Sequence, residues 1–278
     1  MKKIVVGTDG SESAAVAMRW AAQEADIHGA SIEAVLVWSY LDQYHLDRPD
    51  TFEPDYTDET ALAELASWVD QTLGSEPRVE QRAVCDLPAR ALLEASDAAD
   101  LMVLGARGRG GFEGLLLGSV SERVAQFASR PVAVVRGPAE VRGGRVVVGI
   151  DGSARALGAL RWAAAEARAR DADLDVVHAW RMPMVSASPV VAALPDLAAF
   201  EAGGRAVLES ALADEALAGT RVHAHLSPER PTRAVLARAV GAGLVVIGTR
   251  GLGRVGGALL GSVSRQLLQH APCPVVVI

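Results

Sequence analysis

Lysine is almost missing from this chain. Lys2 and Lys3 are the only two in 278 residues. That excludes a Walker A loop, whose lysine reaches the phosphates, and it removes lysine Schiff-base chemistry from any internal site. Cysteine is nearly as scarce. Cys85 and Cys273 sit at unrelated positions, which argues against a disulfide framework and fits a reducing, cytoplasmic setting. No run of eighteen apolar residues occurs, so no membrane-spanning helix is expected. Asp9 interrupts the N-terminal apolar stretch too early for a secretory signal. Net positive charge is also lacking. The formal charge is −7, which argues against general nucleic-acid binding. The balance is uneven: residues 1–140 carry 12 basic and 23 acidic side chains, net −11, and residues 141–278 carry 15 and 11, net +4. Opposite signs favour association of the halves, or of two copies of the chain. Much of the acid lies in one stretch, Asp47 to Glu59, read as a solvated loop.

What is abundant is repetition. Ile4–Ser11 (IVVGTDGS) returns as Val146–Ser153 (VVVGIDGS), Arg19-Trp20-Ala21-Ala22 returns as Arg161-Trp162-Ala163-Ala164, and Pro88, Arg90 and Ala91 return as Pro231, Arg233 and Ala234. An offset of 142–143 residues is too long for a solenoid unit, so each copy is a whole domain. The expected division is residues 1–138 and 144–278, with a linker over 139–143.

Within each copy, continuous Val/Ile/Leu runs alternate with helical patterns. Strands are expected near 3–8, 31–38, 78–84, 100–105 and 131–136, and again near 145–150, 173–180, 220–226, 243–248 and 274–278. Helices are expected near 12–28, 59–73, 89–98 and 118–129, then 154–170, 195–218, 231–241 and 261–270. Unbroken apolar strands are those of a parallel sheet covered on both faces. The fold class is therefore α/β: two tandem doubly wound three-layer α/β/α domains, each a five-stranded parallel sheet of order 3-2-1-4-5. The segments 39–58 and 181–194 differ most between the copies and read as specificity-setting loops.

A glycine-rich loop also occurs twice, as GARGRGGFEGLLLGS from Gly105 to Ser119 and as GTRGLGRVGGALLGS from Gly248 to Ser262. Each follows an apolar run and opens a helix, the outline of a phosphate cradle: glycines admit close backbone approach, and a helix N-terminus offers N–H groups and positive potential. In an order of 3-2-1-4-5, strands 1 and 4 flank the switch point where ligands bind. The Asp9 and Asp151 turns then face the glycine loops across one crevice each. Backbone N–H groups from Gly105 to Gly111 are expected to hold phosphate oxygens. Ser119 and Ser262 are placed as N-caps or phosphate ligands, and Val37-Trp38-Ser39 and Ala179-Trp180 border a base. Asp9 and Asp151 are expected to contact ribose or base, or a divalent cation; helix capping is their structural alternative.

Several other patterns do not develop into sites. Gly251-Leu252-Gly253-Arg254-Val255-Gly256 fits G-x-G-x-x-G, but it follows the fourth strand and no acidic residue comes after it. His223 and His225 share a strand face with no third ligand near, so they read as surface or partly buried residues. His178 reads as structural, and Trp20 and Trp162 as core. No Gly-x-Ser-x-Gly elbow is present.

The V-G-x-D-G-S start, the G-x2-G-x9-G-S loop (Gly105/Gly108/Gly118-Ser119 and Gly248/Gly251/Gly261-Ser262) and the closing Arg130-Pro131-Val132 and Cys273-Pro274-Val275 strands resemble the universal stress protein family, as two UspA-type domains in tandem. The resemblance covers nearly the whole chain. It implies the ATP-binding branch: one ATP site per domain, with or without Mg, and packing through the fifth strands, which the two halves can form within one chain. The residues it marks for the nucleotide are Gly7, Asp9, Val37, Gly105, Arg107, Gly108, Arg109, Gly110, Gly111, Gly118, Ser119 and Val120 in the first copy. In the second they are Gly149, Asp151, Ala179, Gly248, Arg250, Gly251, Gly253, Arg254, Gly261, Ser262 and Val263. No general base, lysine or second-substrate motif recurs beside the loop, so no catalytic residue is expected, and no metal-ligand set is assigned.

The residues after the second strands, Ser39-Tyr40-Leu41 and Arg181-Met182-Pro183, are unlike each other, so unequal base contacts are expected. The expected function is a non-catalytic, ATP-binding stress-response regulator, present as a homodimer with an unknown protein partner. The alternatives are a slow ATPase or adenylyl transferase of related fold, and a structural dimer with empty pockets.

Overall fold

The computed structural model describes residues 1–39, 56–74, 79–109, 116–137, 144–180, 197–251 and 260–278. The first half runs β1 (Lys3–Thr8), α1 (Glu12–His28), β2 (Ser31–Trp38), α2 (Asp58–Leu73), β3 (Val79–Cys85), α3 (Pro88–Asp97), β4 (Leu101–Gly105), α4 (Ser119–Phe127), β5 (Val132–Val135). The second repeats it: β6 (Val146–Ile150), α5 (Ala154–Ala169), β7 (Leu174–Ala179), α6 (Leu197–Leu212), β8 (Val222–Ser227), α7 (Pro231–Ala239), β9 (Leu244–Ile247), α8 (Ser262–His270), β10 (Val275–Val277). Local signals set these bounds. Ser11 and Ser153 cap α1 and α5 by accepting from the N–H groups of Ala14 and Ala156. Gly29 ends α1 in the left-handed region, and Pro88 and Pro231 occupy the first turns of α3 and α7, where a missing N–H costs nothing.

All strands join one ten-stranded sheet in the order β3-β2-β1-β4-β5-β10-β9-β6-β7-β8. Each half has the expected 3-2-1-4-5 order with parallel neighbours. The halves meet through β5 and β10, which pair antiparallel with Val276 opposite Ala133. The fifth-strand pairing is thus made within the chain. One apolar layer packs under α1, α2, α5 and α6, around Trp20, Met18, Leu65, Leu160 and Leu208. The other packs under α3, α4, α7 and α8, around Leu92, Val124, Val235 and Leu267. Both layers run unbroken across the β5–β10 seam, so the halves bury one continuous core on each face. The two edges carry polar and charged side chains, Glu80 and Arg82 on β3 and His223 on β8, which discourage further strand pairing.

The α1–α5 contact carries a buried ionic cluster. Arg170 donates to Glu24 at 2.5 Å and to Glu166 at 2.7 Å, and His28 approaches Glu166 at 3.1 Å. Burial pushes the Glu24 carboxyl up to about 9. Glu166 is desolvated too, but its bond to His28 and the charge of Arg170 hold it down to about 2. The two carboxyls titrate as a pair.

Four expectations need correction. The helix expected over 195–218 ends at Leu212, and a separate 3₁₀ turn covers Glu215–Leu217. Asp214, paired with Arg161, turns its carboxylate onto the Ala216 N–H and starts that turn. Residues 195 and 196 lie outside the described residues. Trp20 is fully buried, but Trp162 is only partly buried against the same layer. Ser119 and Ser262 are not N-caps, because Gly118 and Gly261 hold those positions without any side-chain cap bond. Each serine is the first helical residue instead. The capping alternative for Asp9 and Asp151 also fails, since Ser11 and Ser153 cap their helices. The expected linker 139–143 lies outside the described residues.

Candidate functional site

β1 and β4 run parallel with Gly7 opposite Leu104, so the Asp9 turn and the glycine loop leave the sheet side by side. The turn is rigid. Gly10 and Gly152 sit at φ 73° and 83°, a region that only glycine enters freely. Asp9 Oδ1 accepts from the Ser11 N–H at 3.0 Å. Its Oδ2 accepts from the backbone N–H of Arg109 at 2.7 Å. The aspartate therefore ties the strand-1 turn to the glycine loop, and Gly108 lets them meet: a Cβ there would lie 2.5 Å from Asp9 Oδ2. The Arg109 guanidinium closes over the same turn, donating to the Gly10 carbonyl at 2.9 Å. Ser13 Oγ accepts from the Arg107 N–H at 3.2 Å.

The second crevice repeats the device. Asp151 Oδ1 accepts from the Ser153 N–H at 3.0 Å, and a Cβ on Gly251 would collide with Asp151 Oδ2. Arg155 reaches Thr249 Oγ1 at 2.8 Å. Both loops close in the same way onto the next helix. Gly118 N–H donates to the Ala106 carbonyl at 2.8 Å, and Gly261 N–H to the Thr249 carbonyl at 2.9 Å.

A cavity of about 680 Å³ opens between β6 and β9 at their carboxyl ends. Its lining includes Gly149, Asp151, Ala179, Gly248, Arg250, Gly251, Gly261, Ser262 and Val263. These are all the described residues that the sequence marked in the second copy; Gly253 and Arg254 lie outside the described residues. Its floor and apolar wall are Val177, Val235, Ile247 and Leu260, and Arg265, Gln266 and Gln269 extend its rim. The N-terminus of α8, uncapped by any side chain, faces it with Arg250, so the crevice combines donors and positive charge at one end with an apolar surface at the other. In the first copy Gly7, Asp9, Gly105, Arg107, Gly108, Arg109, Gly118, Ser119 and Val120 gather at the equivalent sheet end, with Val37 near the end of β2; Gly110 and Gly111 lie outside the described residues. There Trp38 is fixed by a 2.7 Å bond to Asp58 and an edge contact with Tyr56 at 5.0 Å.

Sequence reasoning missed the residues that brace these crevices. Ser121 Oγ donates to the Gly105 carbonyl at 2.7 Å, and Ser264 Oγ to the Gly248 carbonyl at 2.8 Å, both buried. The signal for them was the Gly-Ser-Val-Ser string shared by the two copies, whose second serine is the brace. Arg136 was also missed. It leaves β5 and donates to the carbonyls of Leu116, Leu268 and Gln269, fastening the end of α8 to the first half. Burial is the main influence lowering its guanidinium's proton affinity, with Arg107 next. Glu122 on α4 pairs with Arg265 on α8 at 2.7 Å, so the two site helices touch. His178 is structural as expected, its Nδ1 bonded to the Ile150 carbonyl at 2.9 Å. His223 and His225 pair with Asp173 and Asp175.

The model of the universal stress protein family matches residues 1–136 and again 144–278. A universal stress protein of Mycolicibacterium smegmatis is 34% identical over 289 residues, covering 99% of this chain and 96% of its own length. One of Mycobacterium tuberculosis is 32% identical over 290 residues, with 99% and 96% covered. The fold matches the crystal structure of a universal stress protein from Archaeoglobus fulgidus with a TM-score of 0.69 at 24% identity, over 99% of this chain and 97% of that one. The repeated crevice, the doubled domain and these full-length likenesses agree: the chain belongs to the universal stress protein family, in a tandem two-domain form.

Proposed function

We propose that this protein is an ATP-binding stress regulator with one nucleotide site per domain, which acts through nucleotide occupancy rather than turnover. The observation that carries this reading is the second-domain cavity. Its size suits a nucleotide, and its lining coincides with residues marked independently of it. The triphosphate would lie against the glycine loop, Arg250 and the first turn of α8, and the base against Val177 and Ala179. Magnesium, where present, would ride on the phosphates. Asp9 supports binding over turnover, because both its carboxylate oxygens accept backbone N–H groups and neither is poised as a base. The domain division over 139–143, a cytoplasmic setting, and readout by a protein partner or a second copy of the chain belong to the same proposal. Cys85 and Cys273 are both free thiols, which suits that setting.

The test is to saturate the purified chain with ATP, remove free nucleotide, heat-denature the protein and assay the supernatant. Release of adenine nucleotide is expected; a nucleotide-free supernatant overturns the reading. ATP turnover that disappears in an Asp9→Ala, Asp151→Ala double variant would favour an enzyme instead.

A further inference from the structure

The α1–α5 cluster lies away from both crevices and is built from duplicated positions. Glu24 and Glu166 are one position 142 residues apart, and His28 and Arg170 are another. The pseudo-twofold relation of the halves sets the two glutamates against each other, but the position four residues later has diverged. Arginine can only donate, whereas a neutral imidazole nitrogen can ligate.

That divergence divides the work. Arg170 takes the Oε1 atoms of both carboxylates, at 2.5 Å on Glu24 and 2.7 Å on Glu166. Its guanidinium is held over the Trp20 ring, 5.8 Å from the centroid. The Oε2 atoms are left facing His28 Nε2, at 3.1 Å for Glu166 and 3.8 Å for Glu24. One ligand atom from each of these three residues lies within 4.8 Å of the other two. A tetrahedral zinc ion with bonds near 2.1 Å wants ligand atoms about 3.4 Å apart, between the two spacings found. Glu24 Oε2 is wholly buried and accepts no hydrogen bond from any donor among the described residues, which a buried carboxylate oxygen does not ordinarily tolerate. His28 keeps 15% of its side chain exposed and supplies an entry path.

We propose that Glu24, His28 and Glu166 form a divalent metal site, suited to zinc, that staples α1 of the first domain to α5 of the second. Arg170 acts as the positioning residue: it orients both carboxylates by their outer oxygens. The ion takes the place of the hydrogen that His28 shares with Glu166 and supplies the partner that Glu24 Oε2 lacks. Two carboxylates and one imidazole match zinc better than calcium or magnesium, which prefer all-oxygen shells.

The test titrates zinc chloride into the EDTA-stripped full chain, without nucleotide, against a chromophoric chelator. One zinc per chain and a raised thermal midpoint are expected. Affinity should fall roughly tenfold or more in His28→Gln and in Glu24→Gln, and stay unchanged in His223→Gln on the edge strand. No saturable uptake by the unmodified chain, or equal uptake by His28→Gln, overturns the proposal and leaves a proton-sharing ionic cluster. X-ray absorption on the unmodified zinc-loaded protein reads the ligand set directly and does not depend on any variant folding. One imidazole and two carboxylates near 2.0–2.2 Å are expected, and a sulfur-containing or multi-histidine shell overturns the site.

Discussion

The two crevices share a backbone and differ in what closes them. In the first, Asp9 takes the Arg109 N–H and the Arg109 side chain folds onto Gly10. The second copy has Leu252 at the position of Arg109, and a leucine side chain cannot donate as the Arg109 guanidinium does. Its crevice is an open cavity bounded by Arg250 and Arg265. The half that carries it is net positive, while the first half is net negative. Duplication thus kept the glycine device and let the side chains around it diverge. An anionic ligand meets the net-positive half at the second crevice and, at the first, must displace the Arg109 side chain from the Gly10 carbonyl. The second site is therefore expected to bind ATP more tightly.

The sharpest way to break this comparison is Gly251→Val. A branched side chain against the Asp151 carboxylate should remove the second site, a loss of about a hundredfold or more (about 2.7 kcal/mol), and leave the first unchanged in an equilibrium titration. Equal loss at both sites would show that the crevices are not independent. Next in size is Arg109→Leu, which makes the first copy resemble the second. Losing a clasp of about 1 kcal/mol should tighten first-site binding about fivefold, measured with Gly251→Val in the background; weaker binding would mean that Arg109 holds the ligand rather than the loop.

Ser264→Ala and Ser121→Ala should each cost about 1–3 kcal/mol of stability in denaturant titration, because each leaves a buried loop carbonyl without its donor. A cost near zero would remove the serines as braces. Thiols give a further contrast between the halves. Cys85 is exposed, whereas burial pushes the Cys273 thiol up to about 11. One thiol per chain should react with a disulfide reagent at pH 8 in the native protein and two in denaturant; two fast thiols in the native protein would contradict the buried fifth strand. The smallest effect belongs to the partly exposed Glu122–Arg265 pair: Glu122→Gln should cost about 0.2–1 kcal/mol.

Much of the fold was legible in the sequence because parallel strands covered on both faces must be continuous apolar runs, and β1, β4, β6 and β9 are. The repeat supplied the rest: a motif seen twice at one spacing constrains a domain more than either copy alone. The crevice followed from topology, since 3-2-1-4-5 leaves only β1 and β4 at the switch point. Side-chain roles were less legible. The helix-capping alternative for Asp9 fails because Ser11, two residues on, has the better reach to the Ala14 N–H. Ser119 looked like a cap because Gly-Ser opens a helix, yet glycine takes the cap position and leaves the serine in the first turn. Nothing in the spacing of Glu24, His28, Glu166 and Arg170 announces a cluster, because their meeting depends on how the halves pack. Arg136 was hidden for the same reason.

The most direct measurement is a calorimetric titration of ATP into nucleotide-free protein, repeated with Gly251→Val. Two sites of unequal affinity, with the tighter one lost in the variant, are predicted. No heat of binding, or a single isotherm that the variant leaves unchanged, would contradict the claim that the duplicated glycine loops form two distinct nucleotide sites.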